Sequence, residues 1–141
     1  MRIRAGIVLI QEDKVALIER YRAGFHYFIF PGGGVDEGET PEQAAVREAM
    51  EELGIEVAIR RKVAEVQVGQ RSRQIYFLVE QTGGEFGTGT GEEFEESNRD
   101  NPQKGIYIPT WMPIDDLPGH TNIYPEDVSK LVVRSVKEGR E

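Results

Sequence analysis

"FPGGGVDEGETPEQAAVREAMEELGI", residues 30–55, sets three consecutive glycines beside a helical pattern that carries glutamates at positions 48, 51 and 52. Thr40 suits an N-cap, Pro41 the first helical position, and Gln43 completes a Thr-x-x-Gln capping box. Gly54 sits where a helix-ending glycine belongs, so the spacing predicts a helix over Pro41–Leu53. At about 100° per residue, Ala45, Val46, Ala49, Met50 and Leu53 fall within roughly 140° and are expected to form its buried side. Glu48 and Glu52 border that side on one flank, and Arg47 and Glu51 follow on the other.

An acidic helix face is ordinarily a solvated one, but its charges are ordinarily mixed in sign. Here Arg47 is the helix's one base, and Glu48 stands four residues before Glu52, a like-charge pair that destabilises an isolated helix. A bound divalent cation reverses that balance. Clustered hard oxygen ligands suit Mg²⁺ or Mn²⁺, and Mg²⁺ keeps waters while contacting substrate phosphate oxygens. The whole chain has 17 basic and 25 acidic residues, a net charge of −8. That balance argues against attraction to nucleic acid or an anionic membrane, so a phosphate-bearing ligand needs such a local remedy.

Length and composition set the frame for this site. The expected organisation is one domain, 1–141, because a chain of 141 residues fills one core comfortably and two only with difficulty. With no cysteine, neither a disulfide framework nor a thiolate zinc site is available. The apolar run before Gln11 is too short for a signal or a span, and none reaches roughly 18 apolar residues. A soluble cytoplasmic protein is the expectation.

Around the helix, Ile3 to Ile10 and Val15 to Ile18 read as a hairpin closed by Glu12-Asp13-Lys14, and Tyr27 to Phe30 as a short strand ending at the glycine loop. Ile55 to Val68 and Arg73 to Val79 read as two longer strands turning near Gly69-Gln70. From Gly83 to Gly105 six acids, two bases and repeated glycine replace hydrophobic periodicity, so a long surface loop is expected. Ile106 to Met112 returns to strand, Pro113 to Pro118 is a turn region, and Pro125 to Val136 forms a last amphipathic helix. This order is that of an α+β protein with a mixed sheet packed between helices.

The stretch also resembles a known motif. Gly33, five residues, Glu39, seven residues, Arg47-Glu48-Ala49, one residue, Glu51-Glu52, one residue and Gly54-Ile55 match the Nudix box, Gx5Ex7REUxEExGU, at every fixed position. The resemblance implies a Nudix hydrolase: an α/β/α sandwich around a mixed sheet that cleaves a nucleoside diphosphate linked to another moiety, using Mg²⁺ or Mn²⁺. It implies that Glu48, Glu51 and Glu52 are metal-binding carboxylates, that Glu39 and Arg47 brace the loop against the helix, and that the Gly32-Gly33 backbone turns there, Gly33 adding a carbonyl ligand. Relatives differ in where the general base lies. Glu48 or Glu51 is one choice, and Glu92, Glu93, Glu95 and Glu96 of the acidic loop are others.

For the substrate, Arg20 and Arg22 are phosphate-contact candidates and Tyr21 and Phe28 base-stacking ones, although aromatics on strands more often pack in the core. Asn122 and Tyr124 occupy a region that touches the base in some relatives, while Asn122 suits a turn equally well. Trp111 is expected to pack, and His26 and His120 carry no assigned role. Residues Gln70, Arg71, Ser72 and Arg73 include neither the proline nor the tyrosine that marks ADP-ribose and diadenosine polyphosphate enzymes. The expected substrate is therefore a nucleoside triphosphate, with nucleotide sugars, dinucleotides and a non-catalytic nucleotide-binding regulator as alternatives. No nucleic-acid or membrane partner is expected, and a homodimer is allowed because many relatives dimerise. A calcium-binding acidic module lacks the loop spacing of an EF-hand.

Overall fold

In the computed structural model, which describes residues 2–89 and 105–139, the first hairpin is where the architecture is decided. Strand β1 (Arg2–Gln11) meets β2 (Lys14–Arg22) through Glu12 and Asp13, both at left-handed φ, 52° and 62°. Two successive positive φ values match the right-handed twist of the strands they join. The two strands pair only at Ile10 with Val15 and Gln11 with Lys14, then part.

Each then gathers its own partners. Strand β1 runs parallel to β6 (Ser72–Gly84), which pairs antiparallel with β5 (Ile55–Val68). Strand β2 pairs antiparallel with β3 (Phe25–Ile29) and β7 (Ile106–Pro113), and β3 runs parallel to β8 (Ile123–Tyr124). The result is a mixed sheet of eight strands bent at one hairpin. The triple glycine, expected as a loop, adds a strand of its own. Gly32–Gly34 is β4, and it pairs antiparallel with Arg4, Ala5 and Gly6 of β1.

Strand alternation sends successive side chains into two different cores. Ala5, Ile7 and Leu9 of β1 join Ala16 and Ile18 of β2 and the helix residues Ala44, Ala45, Ala49 and Leu53. Val8, Val15, Leu17, Phe28 and Phe30 face the other way, into a second core with Leu117, Val128 and Val132. Helix α1 (Pro41–Leu53) therefore covers one face, and α2 (Glu126–Gly139) the other. This is the expected α+β sandwich, and no helix among the described residues is long and apolar enough to cross a membrane.

Several boundaries differ from expectation. The region Pro113 to Pro118 is not an open turn but a 3-10 helix, Ile114–Gly119, because buried Ile114 and Leu117 anchor it. Strand β6 continues past Val79 to Gly84 through its pairing with β5. The largest correction concerns α1. Its inward face is Ala44, Ala45, Ala49, Glu52 and Leu53, whereas Val46 and Met50 are exposed at 38% and 39%. The face is turned by most of a right angle from the one the apolar pattern predicts. Small alanines let the helix lie close to the sheet, and Glu52 is carried inward with them.

Candidate active site

Helix α1 begins where its sequence says it should. The Gln43 amide donates to Thr40 Oγ1 at 3.1 Å and the Thr40 amide donates to Gln43 Oε1 at 2.9 Å. Its end is closed by Gly54 at φ 76°, a left-handed conformation that glycine adopts without a Cβ penalty. These caps fix the helix's start and stop, and the packing of its alanines against the sheet fixes where the acids point.

Arg47 organises the site. Its Nε and Nη2 donate to the two oxygens of Glu39, at 2.9 and 3.0 Å. Nη1 donates to Glu48 at 2.9 Å and to Glu51 at 3.1 Å, and Nη2 also donates to the Gly34 carbonyl at 2.9 Å. A guanidinium has five N–H donors in a fixed fork, and five acceptors meet them here. Asp36 lies 3.5 Å from Nη2, and its amide donates to Glu39 Oε1 at 3.0 Å. One cation therefore ties strand β4 and the loop after it to the middle of α1.

The electrostatics follow from that geometry. The Arg47 hydrogen bonds, with the Asp36 amide, hold the Glu39 carboxyl below the usual range. Arg47 is in turn raised above its ordinary value, first by Glu39 and then by Glu48. Burial pushes Glu48 up and the Glu51 charge adds to that, while Arg47 and hydrogen bonding with Glu52 pull it back. Glu52 is the most enclosed of the three at 6% exposed, and its Oε1 accepts from the Gly32 amide at 3.4 Å.

Gly33 lies against this cluster so closely that a Cβ there would collide with the Glu48 carboxylate. The donor set is thus all oxygen, three carboxylates beside a glycine backbone, and its chemistry suits a hard divalent cation. Among the described residues no three such side chains converge into a finished cage, because Arg47 holds Glu48 and Glu51 as an internal counter-charge.

The substrate candidates are placed more diversely. Arg20, offered as a phosphate contact, is 5% exposed: its Nε donates to the Ile106 carbonyl at 3.2 Å and its guanidinium lies 3.6 Å from the centre of the Tyr107 ring. Phe28, offered as a stacking residue, is buried in the second core, edge-on to His120 at 5.6 Å. Tyr21 instead stacks on His26 at 4.4 Å, and both reach Glu19. Arg22 and Asn122 are brought together. With Phe25, Tyr27 and Tyr124 they line a cavity of about 400 Å³, where Asn122 Nδ2 also donates to the His26 carbonyl at 3.1 Å. Trp111 packs against Phe86 at 4.5 Å, as expected.

The loop acids Glu92, Glu93, Glu95 and Glu96 lie outside the described residues. Sequence reasoning missed Asp36, the Gly34 carbonyl and Tyr107. Asp36 sits inside the quoted stretch, but a lone aspartate after a glycine run reads as turn chemistry, and the other two are visible only through pairing across the fold.

The NUDIX domain family model matches residues 1–131, and the chain belongs to that family. A segment of 55 residues is 51% identical to an RNA pyrophosphohydrolase of Aeromonas hydrophila, covering 38% of this chain and 30% of that protein. A segment of the same length is 49% identical to the RNA pyrophosphohydrolase of Vibrio atlanticus, covering 38% and 31%. The matched stretch thus spans less than a third of the length of these relatives. Among solved structures, a MutT from work on Aliivibrio salmonicida and Vibrio cholerae superposes with a TM-score of 0.69 at 23% identity, over 94% of this chain and 96% of that one. The E. coli ORF135 protein superposes with a TM-score of 0.68 at 20% identity, over 100% and 93%. At these identities the likeness establishes the fold.

Proposed function

We propose that the protein hydrolyses a diphosphate bond in a nucleoside diphosphate derivative, with a nucleoside triphosphate as substrate and Mg²⁺ or Mn²⁺ as cofactor. The observation that carries this reading is the Arg47 hub, which gathers Glu39, Glu48 and Glu51 around one guanidinium while Glu52 faces the Gly32 amide. Arg47 brings one positive charge to the carboxylates of Glu39, Glu48 and Glu51, so an excess of negative charge is left for a divalent cation to offset. Glu48, Glu51 and Glu52, with the Gly33 carbonyl, would hold the metal. Once bound, it would acidify water and neutralise charge on the phosphate oxygens.

The chain's own residues then have separate tasks. Arg47 and Glu39 keep strand β4 and the loop after it against α1, so that the carboxylates and the glycine backbone stay in register. Glu48 or Glu51, or an acid from the set Glu92, Glu93, Glu95 and Glu96, takes the proton of the attacking water. The new bond forms between water oxygen and phosphorus, and the anhydride P–O bond breaks to release pyrophosphate or phosphate. The cavity of Arg22 and Asn122 is assigned to the nucleoside end, with Tyr27 and Tyr124 as its aromatic walls.

A second reading has its own support. The name RNA pyrophosphohydrolase, carried by relatives that share up to 51% identity over 55 residues, supports an RNA as substrate in place of a free nucleotide. Against it stands the net charge of −8, which repels a long polyanion. The deciding experiment is a panel of nucleoside triphosphates, nucleotide sugars, dinucleotides and 5′-triphosphorylated RNA, with and without Mg²⁺ or Mn²⁺, with products identified. Metal-dependent cleavage of a free triphosphate is the expected result. Binding with no cleavage of any compound would make the protein a regulator instead.

A further inference from the structure

On the opposite face of the sheet from Arg47, the 3-10 helix, strand β8 and α2 enclose a cavity of about 660 Å³ that the proposed chemistry does not use. That volume is in the range of sites for small organic ligands. Its apolar floor is firm: Leu117 and Ile123 are 2% and 3% exposed, and Pro118 and Val133 extend the wall. Polar groups stand on the rim. Lys130 and Arg134 come from successive turns of α2 and Thr121 adds a hydroxyl, while Ser129, 8% exposed, contributes a buried one.

This rim carries a charge opposite in sign to the net charge of the chain. Its one acid is Glu126, which pairs with Lys130 at 3.0 Å, and Arg134 has no ion pair among the described residues. Lys130 and Arg134 against Glu126 leave a local charge of +1 with His120 neutral, in a chain whose net charge is −8. A triphosphate chain would bring several negative charges against Glu126, more than the local charge of +1 offsets. One negative charge on an apolar body matches both halves of the cavity.

The geometry points to a second ligand site here, for a singly charged organic anion, a carboxylate or sulfonate carried on an aromatic or alkyl body. The anion meets Arg134 and Lys130 at the rim while the body displaces water from the Leu117, Ile123 and Val133 surface. This site is separate from the proposed nucleoside cavity. Along residues 120–124, His120, Thr121 and Ile123 line one cavity while Asn122 and Tyr124 line the other, so the two share a segment of chain but no lining residue.

The test uses 8-anilino-1-naphthalenesulfonate as the anionic probe and N-phenyl-1-naphthylamine as its neutral counterpart, titrated into the full chain without metal or nucleotide. The expected result is saturable binding of the sulfonate at one site, about tenfold or more tighter than the amine. Lys130→Met/Arg134→Met should weaken the sulfonate by a similar factor while leaving the amine unchanged, and Val133→Trp should weaken both by filling the cavity. Melting temperatures near that of the parent chain show that the variants fold, as the exposure of Lys130 and Arg134 leads one to expect. Nucleoside triphosphate should not displace the probe. Equal affinity for the two probes, no effect of the double substitution, or displacement by nucleotide each overturns the assignment. Because no turnover is measured, failure here is distinct from failure of the hydrolase reading.

Discussion

Arg47 grips Glu39 through both carboxylate oxygens, Nε to Oε2 at 2.9 Å and Nη2 to Oε1 at 3.0 Å, although neither residue is itself a proposed metal ligand. The pair is therefore a brace, and the rest of the guanidinium distributes that brace to Glu48, Glu51 and the Gly34 carbonyl. Arg47→Lys keeps the charge but loses the fork, so at most three donors replace five. The expected cost is about 1–3 kcal/mol of stability, with a larger loss of turnover because Glu48 and Glu51 lose their common partner. Urea denaturation and hydrolysis rates check both, and unchanged values for each would remove Arg47 from its central place.

The same pair sets an acid-side dependence. The folded-state pKa of Glu39 is depressed below its ordinary value of 4.5, so the carboxylate binds its proton less readily when folded. Its contribution is present above about pH 4.5 and is lost as pH falls through the depressed folded value. Glu39→Gln should accordingly flatten the loss of stability on the acid limb. Parallel acid limbs for the two proteins would show that the contact does not couple to folding.

Gly33→Ala separates positioning from folding. The clash would be with the end of the Glu48 side chain, which can swing away, and not with backbone. The melting temperature is therefore expected to stay within a few degrees of the parent, while metal-dependent turnover falls about tenfold or more because Glu48 leaves its place. Near-normal turnover would place Glu48 outside the metal site.

How much of this was legible in the sequence depends on what each residue's signal is local to. The caps of α1 depend on neighbours a few positions away, so Thr40, Gln43 and Gly54 predicted Pro41–Leu53 as observed. The face of α1 depends on what it packs against. Reading apolar residues as inward chose Val46 and Met50, but alanines against a close sheet turned the helix so that Glu52 went inward instead. Gly32–Gly34 carries no side-chain alternation, and its strand character exists only through pairing with β1. The burial of Arg20 likewise has no local signal, because it comes from Tyr107, which pairs with it across the β2–β7 ladder.

That rotation of the helix makes a paired prediction. Met50→Glu, at an exposed position, should change stability by less than about 0.5 kcal/mol, whereas Ala49→Glu, at 1% exposure, should cost several. Thermal or urea melts decide it. A large loss from Met50→Glu would restore the face expected from the apolar pattern.

Glu52 offers the cleanest division between structure and chemistry. Its side chain is 6% exposed and its Oε1 accepts from the Gly32 amide at 3.4 Å. An amide at position 52 has the same shape and its oxygen can accept the same bond from Gly32, so Glu52→Gln should preserve the fold and its melting temperature. What it cannot supply is an anionic oxygen. If Glu52 is a metal ligand, calorimetric titration with Mn²⁺ should show weakened binding, and turnover should fall by about two orders of magnitude or more at saturating metal. A variant that melts normally, binds Mn²⁺ normally and turns over normally would show that this buried acid is only a packing partner for Glu48.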